Sequence, residues 1–292
     1  MTPVAVDQPD RSVATPSIPW AILGWFAALI GVCYLPVLVR LIEPWTNDDD
    51  MGHGFFVPIL AGYIAWQKRD EFLAEPAKPS WLGLALVFYA AVQLCLATLG
   101  AELFLARTAI IFSIIGAVWF LGGVKRLRVM AFPLFLLFFM VPIPAILYNQ
   151  ITFPLQLLAS RAAEWALMLV GIPVLREGNI LELAGERLSV VDACSGIRSL
   201  LSLSFLSLVY GYFFEKKIWL RVVLFVATVP IAMLANACRV TVTGILADYN
   251  PEYAHGLIHS ASGIVIFMVA LVFLGAFHQL VNFGYRAFQG KR

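Results

Sequence analysis

Residues 222–246 read VVLFVATVPIAMLANACRVTVTGIL, and Arg239 is the one charged residue among these 25. An apolar run of about 20 residues is long enough to cross a membrane as a helix. The whole chain has this character, since 61% of its 292 residues are apolar and only 13% are charged, with a mean hydropathy of +0.86. Soluble proteins are about a quarter charged, so a soluble enzyme and a disordered protein are excluded. The sequence predicts an integral membrane protein, and nothing in it indicates a nucleic-acid partner.

Eight apolar runs predict about eight transmembrane helices and an all-α polytopic fold. They cover residues 20–42, 55–67, 81–99, 103–122, 129–147, 195–214, 222–246 and 258–283. Residues 148–171 are also largely apolar but contain several polar side chains, which favour an interfacial or re-entrant helix. These side chains are Gln150, Gln156, Arg161 and Glu164.

The longest polar stretch between the runs, residues 173–193, predicts a small extracytoplasmic β-hairpin. Short alternating segments at 180–183 and 188–191 are bounded by turn-forming residues at 177–179 and 185–186, as is typical of strands. We expect residues 1–17 to form a flexible cytoplasmic tail and residues 18–292 to form a single transmembrane domain.

The distribution of charge predicts the orientation of the helices. With eight spans and both termini in the cytoplasm, the cytoplasmic segments hold all six lysines: Lys68, Lys78, Lys125, Lys216, Lys217 and Lys291. The opposite side holds Asp48, Asp49, Asp50, Glu177, Glu182, Glu186, Asp192, Asp248 and Glu252. This is the positive-inside distribution of membrane proteins.

Cys194 follows the predicted hairpin and begins the sixth span. A thiol at a helix N-terminus feels the positive end of the helix dipole, which lowers its pKa and favours the thiolate. Arg198 lies on the same helical face as Cys194, and Ser195 or Asp192 can cap the helix. Both a nucleophile and an inert interfacial cysteine fit this position. The other cysteines lie within apolar runs and are expected to be buried: Cys33, Cys95 and Cys238.

Arg239 and His259 are predicted to lie at the same depth as Cys194. Arg239 comes 18 residues after the cytoplasmic Arg221, which is about 27 Å along a helix rising 1.5 Å per residue. An arginine there either faces a partner, for which Asn236 one turn earlier is a candidate, or extends to the lipid headgroups. His259 begins the eighth span on the same side, as a general base or as an interfacial histidine bound to water.

Together, these three side chains predict a reaction centre at the outer surface of the membrane. A cysteine and a histidine supply a thiolate nucleophile and its acid–base partner, and an arginine stabilises the charge that develops on a carbonyl oxygen. This chemistry is acyl transfer, and its location favours a membrane-associated peptide substrate. His255 and His259 have the spacing of a metal pair, but no further ligand is near them in the sequence, so neither a metal nor a cofactor is expected.

Five segments carry these residues or adjoin them. They are residues 50–58 (DMGHGFFVP), 171–178 (GIPVLREG), 193–196 (ACSG), 236–239 (NACR) and 259–263 (HSASG). In order, spacing and membrane placement the segments resemble the exosortase/archaeosortase family of membrane-embedded cysteine transpeptidases. The first is similar to the family's S-H-G-x-x-V-P segment, with Gly52 where serine is common, and the last three are similar to its signature motifs.

The resemblance implies that Cys194 is the nucleophile, Arg239 an essential partner and His259 the third catalytic residue. His259, where archaeal relatives often have arginine, indicates the bacterial branch, in the inner membrane with the active site facing the periplasm. The implied partners are membrane lipid and exported proteins whose C-terminal tail combines a Pro-Glu-Pro-type motif, a transmembrane helix and a basic cluster. Such an enzyme cuts near the outer face of the membrane and forms a thioester with the substrate. An amine, a glycan or water then accepts the acyl group from this thioester.

Further residues are expected to bind substrate or to support the reactive groups. Arg198 or Arg176 is a candidate to bind the glutamate of the sorting motif, since a guanidinium pairs well with a carboxylate. The backbone N–H of Ser195 is expected to assist Arg239. His53 either contacts these groups or has no function. The remaining candidates for support are Asn236 and His255.

Two other classes of function stay open at this point. A membrane thiol–disulfide oxidoreductase would use Cys194 with Cys238, although the chain has no CxxC motif. A polysaccharide-export or transport component would line its pathway with Arg239, although the sequence shows neither paired intramembrane charges nor internal repeats.

Overall fold

Long apolar helices dominate the structure, a computed structural model that describes residues 20–190, 197–250, 253 and 256–289. In chain order these are α1 (Trp20–Asn47), α2 (Phe56–Gln67), α3 (Arg69–Ala74), α4 (Trp81–Leu99), α5 (Leu103–Leu136), α6 (Ala145–Val170), α7 (Ile197–Phe214), α8 (Ile218–Tyr249) and α9 (Gly256–Gln289). Two 3₁₀ helices occur at Asp49–Phe55, which we name the early 3₁₀ helix, and at Leu137–Met140. The prediction of a mostly helical protein is confirmed.

Five helical stretches in the described residues are long and apolar enough to cross a membrane. They are Gly24–Asn47, Trp81–Leu99, Leu103–Met140, Ile218–Tyr249 and Ala261–Arg286. A membrane protein is thereby confirmed, but the predicted count of eight spans is not. The predicted second span forms α2, which has only 12 residues and is about 18 Å long at 1.5 Å per residue. The predicted sixth span corresponds to α7, which has 18 residues.

The predicted spans 103–122 and 129–147 join at a kink rather than at a loop. Gly123 has non-helical backbone angles inside α5, with φ +78° and ψ 179°. A side chain would be strained at this φ, and its Cβ would lie 2.2 Å from the backbone oxygen of Lys78. Glycine therefore allows the chain to change direction between two helical segments that follow one another directly.

The predicted hairpin is part of a three-stranded antiparallel sheet. β1 (Val174–Glu177), β2 (Ile180–Leu183) and β3 (Arg187–Ser189) are neighbours in that order. The hairpin formed by β2 and β3 is confirmed, and β1 is an additional strand. Leu181 and Leu188 face one another across β2 and β3 and are buried. The sheet shares its core with α6 and α8, through Ala159, Ala163, Leu167, Val174, Leu181, Leu188, Val190, Val240 and Ala247.

One face of α6 explains part of the polarity that suggested an interfacial helix. Gln156, Ser160 and Glu164 are four residues apart, and such positions lie on one helical face. Gln156 accepts a hydrogen bond from the Asn179 amide (3.2 Å), Ser160 donates to a backbone oxygen of the β1–β2 turn (3.1 Å), and Glu164 pairs with Arg176 (2.7 Å). Gln156 and Glu164 therefore contact the sheet, so their polarity does not argue against a membrane-spanning α6. Its interfacial position stays a prediction.

Contacts divide the described residues into two units. The first contains residues up to 41 and residues 58–138, and includes a hydrogen bond between Tyr34 and Ser113 (2.8 Å). The second contains residues 42–57 and the chain from 139 onwards. In this second unit α7, α8 and α9 share a core made of Leu203, Leu224, Ala232, Ala270 and Leu274.

The expectation that three of the cysteines are buried is wrong. Cys33 in α1, Cys95 in α4 and Cys238 in α8 are all exposed on their helices. A free thiol behaves as a small apolar group, so a membrane helix tolerates it on its outer face as readily as in a core.

A partly buried polar cluster ties the α7–α8 connection to α9. The Glu215 carboxylate accepts hydrogen bonds from His278 Nε2 (2.6 Å) and the Asn282 amide (2.7 Å), while His278 Nδ1 lies 2.8 Å from the Tyr210 hydroxyl. Burial by itself raises the pKa of Glu215, but the hydrogen bonds from Asn282 and His278 and the charges of His278 and Lys217 outweigh it, and the pKa is lowered.

The cluster predicts a loss of stability in acid. Since the pKa of Glu215 is lower in the folded protein, its carboxylate stabilises the fold above the ordinary value of 4.5 and this contribution disappears as the pH falls through the folded pKa. We expect Glu215→Gln to lower the free energy of unfolding by about 1–3 kcal/mol near neutral pH and to weaken the pH dependence. Thermal unfolding in detergent from pH 7 to about pH 3, a range that extends well below the ordinary value of 4.5, measures both. Glu71→Gln is the control, because Glu71 forms an exposed pair with Lys68; equal pH profiles for all three proteins would contradict the prediction.

Candidate active site

The early 3₁₀ helix meets the first turn of α7 through an ion pair. Asp50 Oδ1 accepts a hydrogen bond from Arg198 Nε at 3.0 Å, and Asp50 Oδ2 accepts one from the Tyr148 hydroxyl at the start of α6. Asp48 caps the turn by accepting from the Asp50 backbone N–H (2.9 Å). Three segments remote in sequence therefore meet at the Asp50 carboxylate, and one of its partners, Arg198, lies four residues after Cys194 in the chain.

His53 attaches the same 3₁₀ helix to α7 at a second point. Its Nε2 lies 3.2 Å from the Phe139 backbone oxygen and must donate to it, which leaves Nδ1 as the acceptor facing Ser202 Oγ at 3.5 Å. Its ring also packs near Phe205, with centroids 6.1 Å apart. Burial lowers the pKa of His53 against the opposing effects of the bonds to Phe139 and Asp50 and of the Asp50 charge, so the imidazole is neutral at pH 7.

Arg239 reaches from α8 to α9 at Gly263. α8 is continuous from residue 218 to 249, so Arg221 and Arg239 lie on one helix, as the estimate of depth assumes. A Cβ added at Gly263 would lie 2.9 Å from Arg239 Cζ and Nη2, slightly closer than side-chain carbons ordinarily approach. The half-buried guanidinium therefore occupies the space that a side chain at position 263 would fill, one helical turn along α9 from His259.

Asn236 is buried one turn before Arg239 and faces a small cavity. The cavity is otherwise apolar and measures about 10 Å³, about the room that one water molecule needs. Its walls come from α6, α7 and α8, with Leu155, Leu200, Val229, Ala232, Met233 and Asn236 as the lining residues. The amide thus lies inside the helix packing, and a hydrogen bond from it to Arg239 stays a prediction.

Arg176 is bonded within the sheet region. Its Nε pairs with Glu164 at 2.7 Å and its Nη1 donates to the backbone oxygen of Gly178 at 3.1 Å. Its neighbours thus account for two of the N–H donors of Arg176.

Arg198 pairs through Nε with Asp50, and 40% of the Arg198 side chain is exposed.

Several predicted site residues lie outside the described residues. These are Cys194, Ser195 and His255. His259 lies in the first turn of α9, and its side chain is not among those described. In the part of the chain that the structure does describe, no group of three His, Cys, Asp or Glu side chains is placed to hold a metal ion.

Sequence reasoning did not identify Asp50, Tyr148 and Ser202. Asp50 was grouped only with the acidic residues of the outer side, although it begins the DMGHGFFVP segment. Two features of the sequence point to Asp50. It lies near a motif histidine, and Arg198, which is close to the predicted nucleophile, needs a counter-charge. Tyr148 and Ser202 gave none, because a tyrosine and a serine in apolar helices are common.

The comparisons with known proteins give a match to a family model. The chain has no significant match among curated proteins and none among solved structures. The family model described as transmembrane exosortase matches residues 45–276, a range that contains all five motif segments and most of the chain. The chain therefore belongs to the transmembrane exosortase family.

Proposed function

We propose that this protein is a membrane-embedded cysteine transpeptidase that removes C-terminal sorting tails from exported proteins. The observation that carries the proposal is the contact between Arg239 and Gly263. It brings the arginine of one signature motif to the helix turn next to the histidine of another, although the two residues lie 20 positions apart in sequence. Family membership supplies the reaction class.

Cys194 is the proposed nucleophile. Its thiolate attacks the scissile carbonyl carbon, the C–S bond forms, and the carbonyl electron pair moves to oxygen. Arg239 and the backbone N–H of Ser195 stabilise this oxyanion. When the intermediate collapses the C–N bond breaks, His259 protonates the departing amine, and the substrate is left as a thioester on Cys194.

His259 also serves the second half of the reaction. Because His259 has given its proton to the departing amine, it can act as a base. It then takes the proton from an incoming amine, from a glycan hydroxyl or from water. The acceptor attacks the thioester carbonyl, the C–S bond breaks, and Cys194 returns to the thiolate. Transfer and hydrolysis therefore differ only in which acceptor reaches the thioester first.

Arg198 is the better candidate to bind the acidic residue of the sorting motif. It lies four residues after Cys194 and is more exposed than Arg176, whose side chain is 23% exposed and bonded to Glu164. The proposed substrate combines a Pro-Glu-Pro-type motif with a transmembrane helix and a basic tail. Its motif would lie at the membrane surface, where a charge-assisted pair fixes the register of cleavage.

The proposed location is the bacterial inner membrane, with both termini in the cytoplasm and the active site facing the periplasm. Lys216 and Lys217 at the α7–α8 connection and Asp248 at the far end of α8 follow the positive-inside distribution for this orientation.

Trapping with hydroxylamine tests the thioester. Membranes that contain the enzyme and a tailed substrate are incubated with hydroxylamine, and the new C-terminus of the substrate is read by mass spectrometry. We expect a hydroxamate in place of the normal product, and none with Cys194→Ala. Normal processing that yields no hydroxamate at any hydroxylamine concentration would contradict a thioester intermediate.

Gly263→Ala is expected to impair processing while the protein remains folded. The new methyl group would meet the guanidinium and shift Arg239 by part of an ångström. Since a displacement of about 1 Å in a catalytic group costs on the order of 100-fold in rate, we expect a loss of up to about that size. Alanine favours a helix over glycine by about 1 kcal/mol, so the helix itself is not weakened. Initial rates of tail removal, normalised to enzyme abundance, measure the effect.

Gly275→Ala is the matched control, because position 275 lies in the same helix and has open space around its Cβ. If both variants process the substrate at the wild-type rate, the contact between Arg239 and Gly263 is not required for activity.

A further inference from the structure

Asp50 holds Arg198 from one side while leaving part of it accessible. The Asp50 side chain is 13% exposed and that of Arg198 is 40% exposed. A carboxylate that is mostly buried needs strong partners. Asp50 has one for each oxygen, with Arg198 at Oδ1 and Tyr148 at Oδ2. Because the bond to Arg198 is made at Nε, it restricts the direction in which the guanidinium plane points.

The early 3₁₀ helix does not depend on this ion pair alone for its attachment to α7. Ser202 and Phe205, four and seven residues after Arg198, contact His53 on the same helical face. Replacing Asp50 should therefore reorient Arg198 without detaching the 3₁₀ helix.

We propose that Asp50 is a positioning residue for recognition of an acidic group on the substrate. This inference rests on the proposed function. Asp50 fixes the Arg198 guanidinium at the N-terminal end of α7, and Arg198, whose side chain is 40% exposed, binds the carboxylate of the sorting motif. Guanidinium–carboxylate pairs depend on the orientation of the planar fork, so a freely rotating Arg198 would bind the same group more weakly.

The test compares two substrates that differ only in the acidic residue of the motif, glutamate or glutamine. The enzyme variants are Asp50→Asn, which keeps the shape and removes the charge, and Asp50→Glu, which restores the charge. We expect Asp50→Asn to raise KM for the glutamate substrate about tenfold, the scale of one charge-assisted hydrogen bond, with little change in kcat. The preference for glutamate over glutamine should shrink accordingly, and Asp50→Glu should recover part of it.

An equal loss on both substrates, or an unchanged preference for glutamate, would overturn the proposal and reduce Asp50 to a structural role. Asp70→Asn is the matched control, because it makes the same change in the exposed ion pair of Asp70 with Arg69 and should leave the glutamate preference intact. If the wild-type enzyme processes neither substrate, the proposed function itself fails, and the inference with it.

Exchanging the two charges guards against a variant that does not fold. Asp50→Arg combined with Arg198→Asp rebuilds the ion pair in reverse. A pair that is only structural would recover processing of the glutamate substrate, and this result would contradict the proposal. We expect no recovery with glutamate and at least partial recovery with a substrate that carries lysine at that position.

Discussion

Cys194→Ala is expected to abolish removal of the sorting tail, with a loss of about 10⁴-fold or more, as is typical when a covalent nucleophile is removed. Without the thiolate no thioester forms, and neither Arg239 nor His259 can replace it. The measurement is processing of a tailed substrate in cells that express the enzyme, followed as the ratio of full-length to shortened protein. The amount of the variant in the membrane must match that of the wild type.

The other cysteines are the controls for this variant. Cys238→Ser is the sharpest of them, because Cys238 adjoins Arg239 in α8 and is exposed. We expect it to process the substrate normally. Loss of activity in both Cys194→Ala and Cys238→Ser would instead favour a thiol–disulfide oxidoreductase, and full activity in Cys194→Ala would remove the proposed nucleophile.

Arg239→Lys is expected to reduce processing by about 10²–10³-fold, the usual effect of losing one oxyanion-stabilising donor. Lysine keeps the positive charge but lacks the planar guanidinium, which lies against the open backbone of Gly263. The expected loss therefore lies in kcat. Initial rates at saturating substrate measure it, and the thermal midpoint of the variant in detergent shows whether it is folded.

Arg187→Lys is the matched control, because Arg187 lies in β3 with 66% of its side chain exposed and pairs with Glu182. It should process the substrate at the wild-type rate. Full activity of Arg239→Lys would mean that only a positive charge is needed at position 239.

The helical membrane fold follows from the sequence because apolar length is a direct requirement of the bilayer. Helix boundaries follow less directly. Residue 123 looked like the start of a loop, since Gly122 and Gly123 precede a basic cluster, yet the backbone continues as a kinked helix. Hydropathy also does not show which polar residues of α6 contact protein. Gln156 accepts a hydrogen bond from Asn179, and Glu164 forms an ion pair with Arg176.

The candidate site was partly predictable for a similar reason. Arg239 stands out because a charge in an apolar helix is costly and needs a purpose. Asp50 does not stand out, because its importance comes from a partner 148 residues away in sequence. Long-range pairs of this kind depend on how the helices pack, and no local pattern in the sequence records them.

Crosslinking of Cys194 to α9 tests most directly whether the three reactive side chains form one centre. In a chain with Cys33, Cys95 and Cys238 replaced by serine, His259→Cys is paired with the native Cys194, and oxidation joins cysteines whose Cα atoms lie about 4.4–6.8 Å apart. Val272→Cys, exposed further along α9, is the control. We expect mass spectrometry to find a disulfide between positions 194 and 259 and none between 194 and 272. Failure of the 194–259 link, in protein whose two thiols both react with a monofunctional reagent, would contradict a shared reaction centre.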